Sequence, residues 1–249
     1  MSKILFIFFS AFLIRIINLN LNNLDPTSYI IEDQILYWTW AKESAFMPWG
    51  TISKDVLLER MPGSFVFFQI GLWIFGDNLK LLLIYQVFFD SLNCVIIALI
   101  ARSVKKEFFI IAGLIASLSP LLIIISSLVL SDSIYLLFFN LYLFYFINYL
   151  KNKRLHFLIL SAIFLSISMY IRIVSLPIIA LSIFFIILNL LKEKKKGVIV
   201  MKTAFIFLAI SIIPISKRAI ENYLNYSTFS LTTQTGSHFA NWVVPGVLD

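Results

Sequence analysis

Glu32 and Asp33 stand together in the polar stretch IIEDQILYWTWAKE (31–44), and Arg60 opens RMPGSFVFFQIGLWIFG (60–76) a short way on. A carboxylate can take the proton of an attacking hydroxyl or amine. A guanidinium can grip a phosphate through two parallel hydrogen bonds and neutralise the charge that grows as a bond to that phosphate breaks. Asp33 is therefore the candidate base, and Arg60 is the candidate phosphate ligand. Glu32 is adjacent and faces elsewhere on a helix. The plain alternatives are a helix N-terminal acid placed favourably by the dipole and a basic anchor snorkelling at a membrane interface.

The elements that must position these groups are membrane helices. Hydrophobic residues make up 60% of the 249 and charged residues 13%, half the charged share of a soluble domain, and the mean hydropathy is +0.94. Runs such as FIIAGLIASLSPLLIIISSLVL (109–130) exceed the ~20 apolar residues that cross a bilayer. The pattern predicts an all-α integral membrane protein: a polytopic bundle of about seven transmembrane helices at 4–18, 80–101, 108–129, 133–150, 155–171, 174–191 and 198–215. Residues 4–18 read as a retained signal anchor, because no small-residue cleavage site follows in INLNLNNLD. The stretch 62–76 begins at Pro62 and would cover roughly 22 Å, short of the hydrocarbon core.

Charge sets the topology. If 62–76 does not span, then Arg102/Lys105/Lys106, Lys151/Lys153/Arg154 and Lys192/Lys194/Lys195/Lys196 share one side with Lys3. Acids collect on the other side, among them Asp25, Glu32, Asp33, Glu43, Asp55, Glu59, Asp77, Asp132 and Glu221. The positive-inside rule then puts the N-terminus in the cytoplasm and 19–79 in the first extracytoplasmic loop, with juxtamembrane helices that include 62–76. Residues 216–249 form a second extracytoplasmic segment of a single transmembrane domain, 1–249.

Asp33, Arg60, Asp132, Arg172 and Arg218 converge at that outer face, a plausible place for an anionic lipid headgroup. Asp132 could position an acceptor, a metal or an arginine, or simply cap the helix at 133–150. Arg15, near the outer end of the first span, is a weaker cation of the same type. Gln86, Asp90 and Asn93 share one helical face inside a span and read best as a buried hydrogen-bonded network. Tyr37, Trp38, Trp40, Trp49 and Trp73 read mostly as an interfacial belt.

Other classes recede. The net charge of +7 lies in short clusters between spans, where topology explains it better than nucleic acid does. The single Cys94 excludes an intrachain disulfide, and His156 and His238 are too far apart for a local metal motif. A divalent cation near Asp33 and Asp132 is compatible with the residues, but no compact metal motif demands one. No phosphate-binding loop, dinucleotide fingerprint or nucleophile elbow is present.

The order of the motifs resembles the GT-C superfamily of membrane glycosyltransferases, in the branch of aminoarabinose transferase and the protein O-mannosyltransferases. The resemblance rests on Asp33 four residues before Tyr37, on Arg60-Met61-Pro62 opening an aromatic helix that ends at Phe75-Gly76, and on Ser119-Pro120 leading to Asp132. Arg172 and the pair Pro214 and Arg218 complete it. The chain has Arg-Met-Pro where the family often has Lys-Pro-Pro, and Glu32-Asp33 where it often has Asp-Glu.

The resemblance implies an inverting transferase that moves a sugar from a polyprenyl or dolichyl phosphate to a glycan, lipid or protein acceptor outside the cytoplasm, in the plasma (inner) membrane. It implies Asp33 as base, with Glu32, Tyr37, Arg60, Asp132, Arg172 and Arg218 binding substrate. Members are about twice as long, so it also implies a truncated chain stopping within GSHFANWVVPGVLD (236–249). The competing readings are a transporter or flippase for a lipid-linked anion, and an inactive truncated member or fragment of a larger enzyme. Against transport, no inverted repeats or matching broken spans are evident.

Overall fold

A computed structural model describes residues 2–22, 25, 29–46 and 58–233. Trp49, Asp55, His238 and the segment 236–249 lie outside the described residues. The rest is helical, with one short 3-10 turn and no strand among the described residues. The helices are α1 (Ser2–Asn20), α2 (Asp33–Phe46), α3 (Gly63–Phe75), α4 (Leu79–Val104), α5 (Phe108–Leu118), α6 (Pro120–Ser126), α7 (Asp132–Asn152), α8 (Leu155–Ile171), α9 (Ile178–Lys192) and α10 (Gly197–Tyr226), with the 3-10 turn at Ile173–Ser175.

Local chemistry explains the boundaries. Asn78 caps α4 by accepting from the Leu81 backbone N–H at 3.1 Å. Pro120 has no N–H to donate and restricts Ser119 to extended backbone, so α5 stops and α6 restarts at an angle of 57°. Lys153 and Ser227 close α7 and α10 in the left-handed conformation.

Among the described residues, five helical segments are long and apolar enough to cross a membrane, or six if the bent pair α5–α6 is one span. The expectation of about seven is thus not met by length. The element at 155–171 is the reason: α8 has 17 residues, about 26 Å of helix. Helix α3, at 13 residues, is shorter still, as the sequence suggested.

α4 and α7 form the spine. α4 packs on α1, α5 and α7, while α7 packs on α8, α8 on α10 and α10 on α9. α2 lies on α3, which reaches α4, α7 and α8. At Gly63 a Cβ would sit 2.7 Å from the Tyr170 carbonyl oxygen, so only glycine lets α3 approach α8 this closely.

The polar face of α4 is a structural network, as its spacing suggested. Asp90 accepts from Arg15 Nε at 2.5 Å and from the Ser133 hydroxyl at 3.1 Å, with Arg15 and Asp90 fully buried. Arg15 also donates toward the Ser117 carbonyl and Cys94 Sγ. The reading of Arg15 as a surface cation is corrected, because its charge is neutralised inside the bundle and ties α1 to α4. Asn140 donates to Asn93 Oδ1 at 2.8 Å, adding α7.

Candidate active site

The turn before Asp132 is held from four directions. Gln86 on α4 donates to the Ser126 and Leu128 carbonyls at 2.9 and 2.7 Å. Gln34 accepts from the Val129 N–H at 3.0 Å, Tyr29 donates to the Ser127 carbonyl, and Asn18 donates to the Ser127 hydroxyl. Non-helical backbone in an apolar protein needs such partners, since each unsatisfied group costs several kcal/mol in lipid, on the order of 4–8 by alkane transfer. Burial raises the pKa of Tyr29 above its ordinary value, so the hydroxyl remains a donor. The side chains thus lock the backbone that presents Asp132.

Asp132 is the first residue of α7. The cap expected of it is absent, and its carboxylate instead accepts from Arg172, at the C-cap of α8. The α7–α8 hairpin brings these residues together, and the guanidinium lies 6.0 Å over the Tyr135 ring.

A second acid–arginine pair lies beside the first. Asp33 begins α2 and Arg60 precedes α3, and Arg60 Nη2 is 3.4 Å from Asp33 Oδ1. The Asp33 side chain is 63% exposed and that of Arg60 only 12%, so the acid faces outward and the cation inward. Among the described residues, Arg60 Nε is buried with no hydrogen-bond partner.

Tyr37 links the two pairs. Its ring stacks on Phe65 at 5.5 Å and lies 5.9 Å under the Arg60 guanidinium, while its hydroxyl meets Ser131 Oγ at 3.1 Å, next to Asp132. Tyr37, Arg60, Met61, Arg172 and Thr232 line one cavity of about 120 Å³, with Ile171 at its edge. Ile171 also belongs to a larger groove of about 480 Å³, walled by residues such as Val66, Ile70, Phe138 and Ile167 and reaching Lys217. A small bibasic cavity therefore lies beside a larger apolar groove.

Of the residues expected from sequence, Asp33, Tyr37, Arg60, Asp132 and Arg172 come together. Glu32 lies just outside, exposed and at positive φ. Arg218 is buried on α10 near Tyr170, Glu221 and Tyr226, outside the lining of the cavity. Trp38 is a core residue rather than a member of an interfacial belt. Sequence reasoning missed Ser131 and Thr232, and it held Met61 only as part of the Arg60-Met61-Pro62 motif; the Thr233 N–H bonds the Leu58 carbonyl at 2.9 Å, which brings the segment after α10 back to Arg60. No three His, Cys, Asp or Glu residues gather among the described residues, and Asp33 and Asp132 each face an arginine.

The family model for dolichyl-phosphate-mannose-protein mannosyltransferases matches residues 59–215, well over half of the chain. The chain belongs to that family. It is a membrane glycosyltransferase of the GT-C type, as the motif order suggested. No curated protein and no solved structure gave a significant match. The mannosyltransferase family match contains Arg60, Asp132 and Arg172, whereas Asp33, Tyr37 and Arg218 fall outside it.

Proposed function

We propose that the chain transfers a sugar, with inversion, from a polyprenyl or dolichyl phosphate to an acceptor on the extracytoplasmic face. The observation that carries this is the adjacency at Ile171: the cavity shared by Arg60 and Arg172 and an apolar groove beside α3, α8 and α10 lie on either side of that residue. Such a site takes a phosphate at one end and a hydrocarbon chain at the other. The acceptor oxygen or nitrogen attacks the anomeric carbon and Asp33 removes its proton. The bond from that carbon to the phosphate oxygen breaks, and the prenyl phosphate leaves on Arg60 and Arg172.

The two arginines have different parts. The Arg60–Asp33 contact of 3.4 Å is long for a charge-assisted hydrogen bond, which runs about 2.7–2.9 Å. Exchanging it for a phosphate costs little and frees Asp33 to act as base. Arg172 stays clasped by Asp132, presenting its remaining edge to the same phosphate. Tyr37 keeps both in register through Ser131. Arg218 supports the groove from α10, and Glu32 borders the acceptor side.

The charge distribution supports residues 19–79 and 216–249 as the extracytoplasmic layer of one transmembrane domain in the plasma membrane. The deciding experiment offers the purified protein a prenyl-phosphate sugar donor and a panel of acceptors. Release of prenyl phosphate with sugar on the acceptor supports the reading. Binding or translocation of the donor without bond cleavage, under every acceptor, would replace it with carriage of a lipid-linked anion.

A further inference from the structure

At the end of the bundle opposite Asp33, α1 begins beside the turn between α4 and α5. Lys3, Arg102 and Lys106 surround a recess of about 460 Å³ there, with Phe109 and Ile4 forming its apolar wall. Other basic turns at this end are explained by topology and by mutual pairing: Lys153 of the α7–α8 turn is bonded to Glu193 at 3.3 Å. Around the recess the arrangement differs. Lys3, Arg102 and Lys106 make no ion pair among the described residues, and Glu107, the acid on the rim, lies beyond ion-pair distance of each. The Arg102 guanidinium is held 5.8 Å over the Phe109 ring, which fixes one cation in place without neutralising it. The first turns of α1 and α5 meet the last turn of α4 here, so two positive dipole ends face one negative end, which Arg102 offsets. From the rim, Leu5, Phe108, Ile111 and Ile115 run exposed and apolar along the same helices.

We infer that this recess is a second binding site, for a phosphate ester anion, and that its occupant is the headgroup of an acidic phospholipid. Three cations without an ion-pair partner around one recess give it a positive field that favours an anion. The exposed apolar strip leading from the rim suits acyl chains, and basic recesses between membrane helices are suited to anionic headgroups. The recess is separate from the Arg60–Arg172 cavity and uses none of its residues.

The test counts lipids bound to the full chain by native mass spectrometry in a neutral detergent, titrating phosphatidylglycerol, phosphatidylcholine of the same chains, and soluble glycerol phosphate. The expected result is one tight phosphatidylglycerol adduct with phosphatidylcholine much weaker. Lys3→Gln/Arg102→Gln/Lys106→Gln should weaken that adduct by roughly tenfold or more. Lys192→Gln/Lys195→Gln/Lys196→Gln, which removes the same charge from another turn, should leave it. Lys3→Arg/Lys106→Arg should retain binding. The exposed Lys106→Glu carries the test should the triple variant fail to fold. Glycerol phosphate displacing the lipid at equal concentration would assign the site to a free phosphate ester rather than a headgroup, overturning the named occupant. Equal loss in both triple variants, or equal retention of phosphatidylcholine, would reduce the recess to general surface charge and overturn the site.

Discussion

Arg15 and Asp90 meet at 2.5 Å with neither side chain exposed, seventy-five residues apart in the chain. Breaking such a pair leaves one charge buried alone, a loss of about 3–5 kcal/mol. Asp90→Ala and Arg15→Ala should each lower the unfolding midpoint sharply in detergent. Arg15→Met/Asp90→Leu, which removes both charges and keeps the volume, should recover much of that loss. A double variant as unstable as the sum of the singles would mean that the two side chains contribute independently.

Asp33→Asn preserves shape and removes the base. Sugar transfer should fall by roughly 10²–10⁴-fold with donor affinity retained. Near-normal turnover at normal expression would take Asp33 out of the chemistry and leave it as the acid that starts α2.

The arginines should separate by substitution. Arg60 sits loosely on Asp33, and lysine keeps its charge, so Arg60→Lys should be mild. Arg60→Ala should weaken binding of a non-transferable prenyl-phosphate analogue by roughly ten- to a hundredfold. Arg172 must hold Asp132 and phosphate together, which a point-charge ammonium does poorly, so Arg172→Lys should cost more than Arg60→Lys. Titration of the analogue against each variant in one detergent decides it, and unchanged affinity in Arg60→Ala returns that residue to an interfacial anchor.

Gly63→Ala should force α3 away from α8, because its new Cβ would meet the Tyr170 carbonyl oxygen at 2.7 Å. The cost should be about 1–3 kcal/mol of stability, as for overpacking elsewhere, together with weaker binding of long-chain donors. A variant with wild-type thermal stability would show that the two helices slide apart freely.

Topology is checked with single cysteines. Positions 55 and 77 should react with an impermeant reagent from outside, and positions 104 and 152 should be protected until the membrane is opened. Protection at 77 with labelling at 104 would reverse the orientation.

That Asp132 and Arg172 share one face was legible in the sequence, because one begins a hydrophobic stretch and the other ends the next, and a short turn makes such stretches antiparallel neighbours; that they pair was not. Asp33 and Arg60 were legible as polar residues in one loop, but their meeting was not, since residues between them set the loop's path. The Arg15–Asp90 pair left a signal that went unused: an arginine and an aspartate in separate apolar spans each need a partner. The turn at 126–131 gave no signal. SSLVLSD reads as the frayed end of a span, and Gln34, Tyr29 and Gln86 carry no local mark of the carbonyls and N–H groups they reach. Long-range side chain-to-backbone bonds depend on three-dimensional proximity, which periodicity does not encode.

That turn also orders the making of the protein. Tyr29, Gln34 and Gln86, which bond its backbone, and Asn18, which bonds the Ser127 hydroxyl, all precede it in the chain. When this turn leaves the ribosome, the side chains that bond it have already been synthesised. The partners on α1, α2 and α4 are thus in place in the chain before the turn is made, and the turn that presents Asp132 can close as soon as it emerges.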